Sequence, residues 1–284
     1  QAKLFYPILA TLITVVAGAI AMLVSSLFID KAVKISFIAT AVLTLGCFIA
    51  TMVLMAQYYG DIADYYPNAN LVGMIVSAVV FMVIMVVMWF VGDKRKMSDT
   101  RSIVYGAISI ALSFALSYAK LFKLPQGGSV TFASLLPLMI YCCMFGTRRG
   151  LIVCTIYGVL QALQDPFIIH PMQFLLDYPL AFGLIGVSGI FMEKGVFKDK
   201  KVVAFLLGGV LAVVLRYACH VCSGVFAFAD YADLDKYDTA IAYSMTYNSF
   251  AFVDMLIALV AGSTLFASKS FSALMQKSSD VNAA

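Results

Sequence analysis

Long apolar runs broken at intervals by short polar clusters dominate this chain. A helix that crosses hydrocarbon needs about 20 apolar residues. Nine segments meet or nearly meet that length: 4–28, 35–57, 71–91, 103–120, 130–145, 150–164, 173–192, 202–227 and 239–267. The fifth and sixth are short and run into loop-like sequence. The first apolar run is too long for a cleavable signal and lacks a small-residue cleavage site, so no leader is expected.

The polar breaks alternate in sign. Basic clusters fall at Lys31/Lys34, Lys94-Arg95-Lys96 with Arg101, Arg148-Arg149, Lys194/Lys198/Lys200/Lys201 and Lys269/Lys277. Acidic loops lie between them, at Asp61/Asp64, at Asp165, and at Asp230/Asp233/Asp235/Asp238. Lysine and arginine stay on the cytoplasmic side. Nine crossings satisfy the alternation without a slip and predict an N-terminus outside and a C-terminus inside. Composition agrees: the 284 residues are 63% hydrophobic and 12% charged, which excludes an ordinary soluble domain. The net charge of +4 is dispersed over loops, so it is no nucleic-acid footprint. The six cysteines all fall within apolar segments and read as small core residues. Cys219-His220-Val221-Cys222 has no second ligand pair for zinc.

One stretch breaks the apolar rule. Gln161 to Pro179 carries Gln161, Gln164, Asp165, Pro166, His170, Pro171, Gln173 and Asp177. In lipid such groups must face protein or water. Pro166 and Pro171 lack N–H donors, which predicts helix, re-entrant loop, helix. Gln173 and Asp177 share a helix face. The eighth span holds Arg216 and His220, and a mid-span arginine needs an anion. The ninth holds Tyr243, Tyr247, Asn248 and Asp254. Gln173, Asp177, Tyr178, His220, Tyr243 and Asn248 converge on one outer level, which favours a ligand pocket over scattered interhelical bonds. Phe167, Phe226, Phe228 and Tyr231 add aromatic faces. Rings plus a carboxylate suit a flat cationic ligand. Alternatively, Arg216 neutralises Asp177 and the pocket takes neutral ligands.

Two further features surround that layer. Gln126-Gly127-Gly128-Ser129 is a turn by composition, with Ser129 and Thr131 expected to start the next helix. It reads as a connector or as a hinged flap over the pocket. Ala107, Ala111 and Ala115 recur every four residues, which suits internal packing or a docking face for a partner. The spans before Gly92 carry few polar groups. The basic loop 92–101 divides a three-helix extension, 1–91, from a six-helix unit, 102–284. No phosphate loop, serine elbow or zinc-protease motif is present, so an intramembrane enzyme is not expected.

Four stretches together resemble a known family: Leu124–Ser129, His170–Tyr178, Leu215–Gly224 and Tyr243–Asn248. Their order and spacing are similar to those of the thiamine-specific substrate-binding (S) subunits of energy-coupling-factor vitamin transporters. The resemblance covers about residues 102–270. It implies a six-helix bundle in a prokaryotic cell membrane, with thiamine as ligand and no cofactor or metal. It also implies a membrane partner, the T subunit, and two cytoplasmic ATPases. Carried over by position, Asp177 is the acidic ligand to thiamine, with Tyr178 beside it. Arg216 and His220 form the basic–imidazole pair, followed by Gly224. Tyr243 and Asn248 supply hydrogen bonds, Phe167 a ring, and Ala107/Ala111 the docking motif. Where family members often stack a tryptophan, this chain has Phe226 and Phe228, and Asp177 stands where some have glutamate. Residues 1–91 lie outside the family pattern. Rival readings are an S subunit for another flat heterocycle, such as a thiamine precursor or a pyridoxine-like compound, and a stand-alone secondary transporter.

Overall fold

A computed structural model describes residues 64–92, 100–197, 200–232 and 238–281, with isolated positions between 13 and 57. The first two predicted spans and most of the 92–101 loop therefore lie outside the described residues. The helices are α1 (Leu71–Val91), α2 (Thr100–Ser117), α3 (Leu136–Phe145), α4 (Thr147–Gln164), α5 (Pro171–Glu193) and α6 (Lys201–Ala227). They are followed by α7 (Ala240–Asn248), α8 (Phe250–Ala267) and α9 (Lys269–Val281). Helices α7 and α8 run on as one 28-residue rod. Together with α1, α2, α5 and α6, that rod makes five stretches long and apolar enough to cross a bilayer. The protein is an all-α integral membrane protein, apart from one small hairpin.

That hairpin departs from the expected helix start. Ser129–Thr131 forms strand β2, antiparallel to β1 (Lys120–Lys123), with Pro125–Gly127 as a 3-10 tip. The next helix begins only at Leu136, with a proline in its first turn. Ser129 and Thr131 are cap-type residues, but their backbone pairs with a strand. As a result, the fifth predicted span shrinks to a ten-residue helix.

Helix α5 is the enclosed element. Of its most apolar stretch, 72% is buried, against 22% for α1 and α2. It is not a regular α-helix throughout. Pro179 cannot donate to the ladder, and its ring would strike the carbonyl four residues back. Residues Leu176–Leu180 widen into a π-turn, and Leu184–Gly189 tighten to 3-10 geometry. The far half is gripped by neighbours at close range. A β-carbon placed on Gly208 of α6 would collide with the Ser188 carbonyl, so only glycine permits that crossing. One core joins Met139, Cys142, Cys154, Tyr157, Phe205 and Met255; a second joins Met74, Ala78 and Phe81 of α1 to Leu176, Leu180, Leu184 and Cys219. The cysteines at 142, 143, 154 and 219 are buried, as small core residues would be.

At the basic end, Glu193 accepts a 2.6 Å bond from the backbone N–H of Thr147, at the positive N-terminus of α4. Arg148 donates to the Trp89 carbonyl at 2.6 Å and lies over the Trp89 ring. On α2 the buried stripe is Ser102, Gly106, Ser109, Ser113 and Ser117, whereas Ala107, Ala111 and Ala115 are exposed. The alanine repeat therefore does not serve internal packing among the described residues.

At the polar end, α4 stops at Gln164 and α5 starts at Pro171, with a loop between, as the two prolines predict. His170 caps α5, its Nδ1 accepting from the Met172 N–H at 3.1 Å. Burial lowers the His170 pKa below its ordinary 6.5. A lowered folded-state pKa means that this cap stabilises above the unfolded value and is lost as pH falls through the folded one. Protonation removes the acceptor. The melting temperature should therefore drop on acidification from pH 7 toward pH 5. His170→Asn, which caps without titrating, should flatten that slope in thermal-shift measurements.

Candidate functional site: a polar cavity beneath the hairpin

The widened turn of α5 aims Asp177 into the bundle. Its carboxylate is held by three donors from two helices. Gln173 Nε2 and Ser223 Oγ each reach Oδ2 at 2.7 Å, and His220 Nδ1 reaches Oδ1 at 2.9 Å. A carboxylate only accepts, so His220 carries its proton on Nδ1. Its other nitrogen, Nε2, is buried with no protein partner. That leaves an unsatisfied imidazole nitrogen on a residue that lines the cavity.

The cavity spans roughly 860 Å³ of non-atom space, a figure that includes the open solvent at its mouth. Ten of the residues assigned above to the pocket line it: Phe167, Gln173, Asp177, Tyr178, Arg216, His220, Gly224, Phe228, Tyr243 and Asn248. The hairpin residues Gln126, Gly127, Gly128 and Ser129 line it too. Ala107 and Ala111 do not. Asn248 is oriented by bonds from Nδ2 to Ser244 O at 2.9 Å and to His220 O at 3.3 Å. Gly224 permits α7 to close on α6, because a side chain there would strike Ser244. Phe167 and Phe228 face each other with ring centroids 5.8 Å apart.

The alternative pairing of Arg216 and two of the ring assignments fail. Arg216 does not reach Asp177. It pairs with Asp254 at 3.1 Å and sits 4.6 Å over the Phe182 ring, both charges nearly solvent-free. The carboxylate of Asp177 thus keeps its own charge and its own donors. Phe226 and Tyr231 are not among the cavity-lining residues: Phe226 packs against Gly73 of α1, and the Tyr231 hydroxyl meets that of Tyr66. Of the three aromatics in that turn, Phe228 is the one that lines the site.

Seven further residues line it that were not assigned to the pocket from sequence: Lys120, Gln161, Asp165, Phe182, Ser244, Tyr247 and Phe250. Tyr247 shares a face with Tyr243, which is visible from spacing. Its partners are not, because they are backbone atoms: Tyr247 Oη donates to the Pro125 carbonyl and accepts from the Gly128 N–H at 3.1 Å. It pins the hairpin tip. Asp254 pins the hairpin base, taking bonds from Thr131 N at 2.9 Å and Thr131 Oγ1 at 2.7 Å. At the mouth, Asp165 bridges Lys120 at 2.7 Å and Lys123 at 2.9 Å. Burial raises the Asp165 pKa, but the two lysines outweigh it and hold the carboxyl below its ordinary value.

Residues 103–274 match the family described as thiamine transporter protein. That match spans more than half of the chain.

The chain belongs to the thiamine transporter protein family.

Thiamine transporter ThiT of Bacillus subtilis is 35% identical over 134 residues, 45% of this chain and 68% of that relative. ThiT of Lacticaseibacillus paracasei is 28% identical over 172 residues, 55% and 82% of the two chains. The solved structure of ThiT from Listeria monocytogenes superposes with a TM-score of 0.52 at 22% identity, covering 59% of this chain and 93% of that one. That likeness shows a shared fold. Membership makes the protein a transport protein rather than an enzyme, and a multi-pass protein of a prokaryotic cell membrane. Helix α1 lies outside the family-matched residues, yet it packs against the matched bundle.

Tyr247→Phe tests the tip contact without a ligand. Loss of both hydrogen bonds of the hydroxyl, at least about 1 kcal/mol together, should raise the opened population roughly fivefold or more. Trypsin cleavage at Lys123, followed by mass spectrometry, should accelerate by that factor.

Proposed function

We propose that the protein binds thiamine from the extracytoplasmic side and serves as the substrate-specificity subunit of an ATP-driven energy-coupling-factor importer. The observation that carries this reading is the Asp177–His220 pair, with its unpartnered imidazole nitrogen, lining one cavity with the Phe167/Phe228 rings. Thiamine joins an aminopyrimidine, a hydrogen-bonding heterocycle, to a positively charged ring. The imidazole nitrogen and the Asn248 and Tyr243 groups suit the first. Aromatic faces attract the second by about 0.5–2 kcal/mol, and more once water is excluded. With Arg216 engaged by Asp254, Asp177 adds an uncancelled negative charge. Family membership and the names of the relatives support the same ligand.

The finer topology belongs to this proposal. Nine spans place the N-terminus outside, the C-terminus inside, and the hairpin and cavity on the outer face. The alternating loop charges support it. Residues 102–284 form the binding unit, 92–101 a cytoplasmic linker and 1–91 an added three-helix segment. The exposed Ala107/Ala111 face of α2 is the docking face for the T subunit, which couples to two ATPases on the cytoplasmic side. No phosphate loop occurs in this chain, which supports dependence on outside ATPases.

Two measurements test the proposal. Purified protein should bind thiamine in calorimetry, and Asp177→Asn should weaken it about 10- to 100-fold, the scale of one charged hydrogen bond. Equal affinity in the mutant would remove Asp177 from the site. Ala107→Trp or Ala111→Trp should leave binding intact and abolish uptake by cells that carry the partner subunits. Undiminished uptake would sink the docking face.

A further inference from the structure

Helix α1 lies outside the family-matched residues, yet it touches the turn that carries the cavity's aromatic side. We propose that Tyr66–Gly73 is a positioning element of the ligand site, acting through the Phe226–Tyr231 turn. The inference rests on the reading of the cavity as the thiamine site.

Four ties carry it. Helix α6 ends at Ala227, and its last carbonyls have no intrahelical partner. The Phe226 carbonyl takes the backbone N–H of Asn70 at 2.7 Å. Asn70 is also the N-cap of α1, its side chain accepting from the Gly73 N–H at 2.8 Å. One residue thus caps two helices, the start of α1 and the end of α6. Next, the Phe226 ring lies in the hollow left by Gly73. A β-carbon there would fall 2.6 Å from Phe226 Cγ, the root of the ring, so any side chain pushes the whole ring away. Beyond the helix end, Asn68 holds Asp230 through Nδ2 at 2.6 Å and through its N–H at 3.1 Å. Lastly, the Tyr66 and Tyr231 hydroxyls meet at 3.3 Å.

Between those anchors sits Phe228, two residues past the Phe226 knob. Its ring centroid lies 5.9 Å from Tyr231 and 5.8 Å from Phe167. A row of rings therefore leads from Tyr66 on the added segment to the two that line the cavity. In lipid no hydrophobic force drives helices together, so close packing and hydrogen bonds must set this geometry. The first turn of α1 supplies both.

The test uses the full chain. Gly73→Ala should weaken thiamine binding about tenfold, chiefly through faster dissociation. Adding Phe226→Ala removes the colliding ring and should recover affinity to within about threefold of wild type, a coupling that independent sites would not show. Asn68→Ala, at an exposed position, should cost about threefold while leaving the unliganded melting temperature within a few degrees. A ligand-free arm places 4-fluorophenylalanine at Phe228 and, in a second sample, at Phe182. Gly73→Ala should shift or broaden the fluorine resonance at 228 and leave that at 182 unchanged. If Gly73→Ala leaves the affinity and the 228 resonance unchanged, or if Phe226→Ala brings no recovery, the positioning role is overturned. If wild-type protein binds no thiamine, the functional reading falls, and the fluorine arm still decides whether the Tyr66–Gly73 segment sets the ring.

Discussion

Everything at the polar end follows from placing a carboxylate among apolar helices. An ionised acid removed from water is tolerable only when donors surround it. Asp177 obtains three, from Gln173 one turn earlier and from Ser223 and His220 on α6. That shell ties α5 to α6 and sets the imidazole's tautomer. It also leaves one ring nitrogen buried without a protein partner. Because α5 is the most enclosed spanning helix, the arrangement has little freedom to rotate. The π-turn at Leu176–Leu180 is the local distortion that brings Asp177 to this angle, and Pro179 is its chemical cause.

A second buried acid does different work. Asp254 binds Arg216 through one oxygen and the hairpin residue Thr131 through the other. It neutralises a mid-span cation and fastens the hairpin base to α8. Two acids with separate partners allow the cavity to keep a negative wall while the arginine beside it is silenced. Had Arg216 turned to Asp177, both functions would collapse into one neutral pair. The hairpin is then held at its base by a charged group and at its tip by a single phenol, Tyr247. The tip is the weaker attachment, and it lies directly over the cavity.

The added helix changes how the bundle is to be viewed. Met74, Ala78 and Phe81 of α1 share a core with Leu176, Leu180 and Cys219. At the basic end, the carbonyls of Trp89 and Val91 accept from Arg148 and Lys194. Both ends of α1 are therefore bonded to residues of the family-matched region. Covalently it precedes that region; physically it is one of its walls.

Periodicity and composition were enough to reveal the membrane class, the positions of α1, α2, α5, α6 and the α7–α8 rod, and six of the cavity-lining residues, Gln173, Asp177, Tyr178, His220, Tyr243 and Asn248. Those features follow from rules that act locally: apolar run length, proline's missing donor, and the cost of a polar group in lipid. Pairing was not legible. Arg216 has two acids within the membrane, and nothing in its neighbours along the chain says that Asp254 takes it. Phe226 and Phe228 are alike in sequence, yet a hollow at Gly73, more than 150 residues away, turns one from the cavity while the other lines it. Ser129 and Thr131 look like helix caps until a strand partner, Lys120–Lys123, claims their backbone. Each of these outcomes depends on which distant surfaces come into contact, and that choice is made by packing across the fold rather than by the order of residues along it.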